Sequence, residues 1–158
     1  MTTPFEAIGN DPEVWIETAE ALVYNAQVLK RHRDESKAPN ATADVNRTFA
    51  ELLLWGYALE AFFKSLFLKR GGTLVVGEAF DSSVGMGNHD LVKMALKANF
   101  PLDSTQQDAL TRLSPILLWG GRYPIAKASS GTFVPCYWSQ PEDDTTVEQI
   151  IESIKKIA

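Results

Sequence analysis

Little in this sequence is suited to metal or redox chemistry. It has one cysteine, Cys136, and two histidines, His32 and His89. A structural zinc site normally takes four such ligands, so no metal is expected. A lone cysteine forms no intramolecular disulfide, and the N-terminus MTTPFEAIGN has neither the basic start nor the apolar stretch of a secretion signal. A cytoplasmic protein without a cofactor is the expectation. Also missing are a GxxxxGK[ST] phosphate loop, GxGxxG after a strand, HExxH and CxxC, which removes the commonest motif-borne chemistries. Basic residues are in deficit, 15 Lys and Arg against 20 Asp and Glu. No global field therefore gathers polyanions, and nucleic-acid binding would need a local patch or a dimer groove. The most apolar stretch, FAELLLWGYALEAFFKSLFL from Phe49 to Leu68, carries Glu51, Glu60 and Lys64. Charges near a bilayer centre are costly, so it reads as a buried central helix and no membrane partner is expected.

What is present is helical periodicity. A chain of 158 residues is the size of one domain, 1–158, able to bury about 68–70% of its unfolded surface. From Asp11 to about Ser36, Trp15, Ala19, Leu22, Ala26 and Leu29 recur at helical steps, with Asn10 or Asp11 as cap and Pro12 in the first turn. Lys30, Arg31 and Arg33 follow near its end, read as a solvated cluster matched to the helix dipole. A second helix runs from a cap at Asp44 to Arg70 and stops at Gly71-Gly72. Gly56, in its interior, predicts a close helix crossing. The next stretch, GGTLVVGEAFDSSVGMGN, has five glycines and reads as a long loop, with TLVV a weak strand signal. Asn88 is expected to cap a short helix, and Ser104 with Gln107 to form the capping box of a fourth, in which Pro115 kinks or ends the regular turn near Arg112. An irregular loop precedes a last helix that starts from a Thr145–Glu148 box and carries Val147, Ile150, Ile151, Ile154 and Ile157 on one face. The sum is an all-α antiparallel bundle of about five helices, with one Gly-rich loop and one irregular loop.

Three features carry chemistry. Glu60 and Lys64 stand four residues apart on the most apolar helix; they are either an exposed ion pair worth a few tenths of a kcal/mol, or a half-buried carboxylate that needs a partner such as Arg122. His89 and Asp90 open the short helix, where the dipole favours the carboxylate and disfavours an imidazolium, so capping accounts for both. The third is WGGRYP. Gly120, Gly121 and Pro124 are helix punctuation, whereas Trp119, Arg122 and Tyr123 bring an indole, a guanidinium and a phenol to one corner. A guanidinium holds a carboxylate or phosphate through two parallel hydrogen bonds.

The order GYALEAFFKSLFLKRGG, HDLVKMA, WGGRYP over residues 46–127 resembles the HEPN superfamily of helical-bundle proteins, in particular its single-domain bacterial members. The resemblance implies an antiparallel bundle that dimerises. It implies either metal-independent ribonuclease activity or non-catalytic binding of a nucleotide, RNA or a partner protein, in bacterial stress, defence or mobile-element biology. The nuclease branch carries an arginine, a polar residue next to it, and a histidine four to six residues beyond that polar residue. Here Tyr123 follows Arg122, and Lys127, Ala128 and Ser129 stand at those distances, so the resemblance implies a non-catalytic homodimer with Arg122, Tyr123, Trp119, His89 and Lys64 as ligand-binding candidates. The alternative is a divergent ribonuclease in which Arg122 stabilises charge, His89 transfers the proton and Glu60 orients the arginine.

Overall fold

The computed structural model describes residues 2–120 and 142–157. Among these, six α-helices carry the fold: α1 (Pro4–Gly9), α2 (Pro12–Glu35), α3 (Ala41–Lys69), α4 (Leu91–Lys97), α5 (Ser104–Pro115) and α6 (Asp143–Lys155). The all-α bundle read from periodicity is what these residues form, with one short helix more than the apolar pattern indicates, because α1 buries no residue.

Helices α2 and α3 form the central antiparallel hairpin. Ion pairs fix its direction at both ends, Lys69 Nζ to Glu13 at 2.9 Å and Arg33 Nη1 to Glu51 Oε2 at 2.8 Å. Around α3 gather Ala19, Val23 and Ala26 from α2, Leu91 and Met94 from α4, Leu110 and Leu113 from α5, and Val147, Ile150, Ile151 and Ile154 from α6. Phe62, Phe63, Leu59 and Leu66 of α3 are enclosed among them. At about 1.5–3 kcal/mol for each large apolar side chain buried, this shared core dominates the stabilisation. Gly56 makes the predicted close crossing: a Cβ built there would lie 2.6 Å from Leu117 Cδ2, so the segment after α5 rests on bare helix backbone.

The helix ends depart from the sequence expectation by small steps. Asp11 caps α2 with Pro12 behind it, as expected. Helix α3 starts earlier than predicted: Asn40 accepts from Ala43 N–H, leaving Asp44 inside the first turn, where it still suits the dipole. Asp90, not Asn88, caps α4 by accepting from Lys93 N–H. The box of α5 is one residue early, with Asp103 accepting from Gln106 N–H and Gln106 Oε1 accepting from Asp103 N–H. Helix α6 begins at Asp143 without a side-chain cap, so Thr145 and Glu148 form no box. Pro115 ends regular α-geometry three residues later than expected; having no N–H, it is followed by a wide π-type turn over Ile116–Gly120 that places Leu117 on Gly56.

Gly71 stops α3 at φ +85°, its N–H bonding to Leu68 O while Gly72 N–H reaches Phe67 O. Asn99 does the same for α4 at φ +53°, with Phe100 N–H on Ala95 O. Both are Schellman endings.

The Gly-rich stretch is more ordered than a loop. Val75–Val76 (β1) pairs antiparallel with Ala79–Phe80 (β2) about Gly77 at φ +63°, and a 3-10 turn over Ser82–Val84 follows. A two-residue strand is too short for side-chain alternation to register, and its support is distant in sequence. Asn10 Oδ1 accepts from Leu74 and Val75 N–H at 2.8 and 3.0 Å, its Nδ2 donates to Val75 O, and Thr3 Oγ1 donates to Gly77 O. The junction of α1 and α2 thus holds the hairpin against the bundle. Among the described residues no helix is long and apolar enough to cross a membrane.

Candidate functional site

Glu60 projects from the middle of α3, its side chain 6% exposed. Of the two readings of Glu60 and Lys64, the exposed surface pair is corrected and the half-buried carboxylate in need of a partner is what α3 presents, with both side chains largely buried. His89 Nδ1 lies 2.5 Å from Glu60 Oε1, and Lys64 Nζ lies 3.9 Å from Glu60 Oε2. The carboxylate thus has a tight contact on one oxygen and a loose one on the other. A buried carboxylate would be costly without such partners.

Lys64 is 12% exposed, and its ammonium sits 4.6 Å from the centre of the Trp15 ring and 5.6 Å from that of Phe80. Burial pushes its basicity below the ordinary lysine range, and the Glu60 charge opposes that shift. The aromatic faces offset part of the lost hydration, a cation–π contact contributing about 0.5–2 kcal/mol. Trp15 is itself fixed, donating from Nε1 to Gly9 O at 3.0 Å. Phe80 arrives on β2, so the hairpin held by Asn10 delivers one wall of the site.

His89 enters from outside the helix. It precedes the Asp90 cap and takes φ +60°, a conformation that costs a non-glycine residue about 1–2 kcal/mol. Expecting His89 within the first turn of α4, under the helix dipole, is thus corrected. Asn88 Oδ1 accepts from Asp90 N–H, which stabilises the bend. Such strain persists where surrounding contacts over-determine it, here the bond to Glu60 and the edge-on packing against Tyr57, centroids 6.2 Å apart. His89 remains 27% exposed, the most open polar member of the group.

Of the residues singled out from the sequence, the fold therefore unites Glu60, Lys64 and His89. Arg122 and Tyr123 lie outside the described residues, as does the side chain of Trp119. Sequence reading missed Trp15, Tyr57 and Phe80 as walls. Trp15 and Lys64 belong to different helices and Phe80 to a hairpin with no periodic signal, so no spacing rule links them.

A second polar cluster was also missed. Glu51, fully buried on α3, meets Arg33 of α2, while Arg33 and Lys30 both reach Asp144 of α6 at 3.6 Å and Lys30 pairs with Glu148 at 2.9 Å. This corrects the solvated, dipole-matched reading of Lys30 and Arg33, which serve as ties between helices. Near it, Arg112 of α5 grips the buried Asp143 of α6 through two parallel hydrogen bonds, Nε to Oδ2 at 2.9 Å and Nη2 to Oδ1. Among the described residues no group of three or more His, Cys, Asp or Glu is disposed to hold a metal ion.

Comparison with family models, with curated proteins and with solved structures finds no match to this chain.

Proposed function

We propose that this chain is a HEPN-like bundle that works as a non-catalytic cytoplasmic homodimer, binding a nucleotide or RNA through the Lys64–His89 site. The carrying observation is the loose hold on Lys64. Its ammonium is part-desolvated, its nearest described carboxylate oxygen is beyond hydrogen-bond reach at 3.9 Å, and it lies against two aromatic rings, with the part-exposed His89 on the same carboxylate. A phosphate oxygen would supply the missing charge-assisted bond, and a base would find a ring to stack on. The acidic surface elsewhere makes such binding local and salt-sensitive.

The test is titration of a short fluorescent oligoribonucleotide, with ATP as competitor, against wild type, Lys64→Met and His89→Ala. The reading expects saturable binding that weakens with added salt and falls roughly tenfold or more, about 1.4 kcal/mol, in each folded variant. Equal binding by all three proteins, or none by wild type, overturns it.

One observation favours the ribonuclease alternative, the 2.5 Å contact of His89 with a buried carboxylate. A carboxylate behind an imidazole fixes the orientation of the ring, as general acid–base catalysis requires. In that reading His89 transfers the proton and Arg122 stabilises the developing phosphorane charge. It expects RNA cleavage in excess chelator, abolished by His89→Ala and by Arg122→Ala. Intact RNA after prolonged incubation with wild type rejects it.

A further inference from the structure

Among the described residues, the junction of α2, α3 and α6 holds more negative than positive charge around a carboxylate that water cannot reach. Glu51 is 0% exposed. Its Oε1 receives only a long contact from Trp55 Nε1 at 3.4 Å, and its Oε2 lies 2.8 Å from Arg33 Nη1 without accepting an aligned hydrogen bond. Among the described residues, the charged groups facing it are Lys30 and Arg33 from α2 and Asp144 from α6, with Glu148 of α6 paired to Lys30; Arg33 also touches Asp34. Two cations thus serve Glu51, Asp144 and Glu148 at once. Each proton on Glu51 changes how those cations are shared.

We propose that Glu51 is a proton-controlled latch for helix α6: neutral Glu51 leaves Arg33 and Lys30 to hold Asp144 and Glu148, and ionised Glu51 competes for them and repels Asp144. In the closed latch α6 seals Val147, Ile150, Ile151 and Ile154 against the core. Ionisation slackens the grip on α6 while α2 and α3 keep their shared apolar interface. The direction follows from the surroundings. Burial raises the Glu51 carboxyl to about 6, with Arg33 opposing and Asp144 adding to the rise. The folded junction therefore binds the proton more tightly than the unfolded chain does. Its extra stability is complete below the ordinary carboxyl value of 4.5 and is lost as pH rises through about 6.

Hydrogen exchange of the α6 amides, corrected for intrinsic rates, tests this at about pH 5 and pH 7.5 in wild type and Glu51→Gln. Wild-type α6 should open roughly tenfold more often at the higher pH, within the limit of about thirtyfold that a rise from 4.5 to about 6 permits. The glutamine variant should show α6 protected alike at both. Should that variant not fold, Asp144→Asn replaces it: burial still raises Glu51 there, but without the repulsion from Asp144 its α6 should tighten less in acid than that of wild type. A wild-type α6 whose protection does not change with pH, or a variant that keeps the full wild-type response, overturns the latch.

Discussion

At the scale of single residues, the buried carboxylates among the described residues, Glu51, Glu60 and Asp143, each face a basic partner, and each pair predicts what removing one member does. Asp143 is buried and held by Arg112 in a bidentate grip. Arg112→Ala leaves that carboxylate buried and alone, so chemical denaturation should show a loss of about 3–5 kcal/mol. Gly56 presents the opposite case. Alanine there would gain about 1 kcal/mol of helix propensity but place its Cβ 2.6 Å from Leu117, and overpacking costs about 1–3 kcal/mol. Gly56→Ala should therefore be neutral to destabilising in spite of the better helix former, and Gly56→Val clearly destabilising, by the same denaturation measurement. A rise in stability for either would show that the crossing is not close. Gly56 was legible in the sequence because a glycine weakens an apolar helix unless a neighbour packs directly on its backbone. Glu51 was not, because its helix gave no hint that Arg33, on another helix, would face it.

The helices show which signals survive translation from sequence to fold. Apolar spacing placed α2, α3, α4, α5 and α6, because 3.6-residue periodicity and a shared core express the same fact twice. Helix starts slipped where neighbouring polar residues compete for one role: Asn40 outranks Asp44, and Asp103 outranks Ser104. The β1–β2 hairpin was invisible because its support comes from Asn10 and Thr3, far off in sequence. The same remoteness explains why Trp15 and Phe80 were not foreseen beside Lys64. Asn10 is the element-scale prediction. Asn10→Ala removes three hydrogen bonds to the β1 backbone and its flank, at about 1 kcal/mol each. Protection of the Leu74 and Val75 amides should fall while α3 stays protected, and Phe80 should lose its place against Lys64, weakening ligand binding. Unchanged exchange at Leu74 would contradict this.

For the whole molecule, stability and function both turn on charges inside a helical core. The Glu51 carboxyl, raised to about 6 from 4.5, makes the fold less stable at pH 7 than at pH 5 by about 1 kcal/mol from this group alone. Thermal unfolding across that range should show the decline in wild type and not in Glu51→Gln. The site on the other side of α3 is where function is proposed. Three of its members, Glu60, Lys64 and His89, stood out in the sequence, but only the fold shows that they meet, with Glu60 serving His89 more closely than Lys64. The most direct measurement is a two-dimensional ¹H–¹⁵N NMR titration of the full chain with a short oligoribonucleotide, following the indole of Trp15 and the ring nitrogens of His89. The account predicts saturable shifts at both, with one dissociation constant, abolished by Lys64→Met. Shifts confined to other parts of the bundle, or undiminished in that variant, would contradict it.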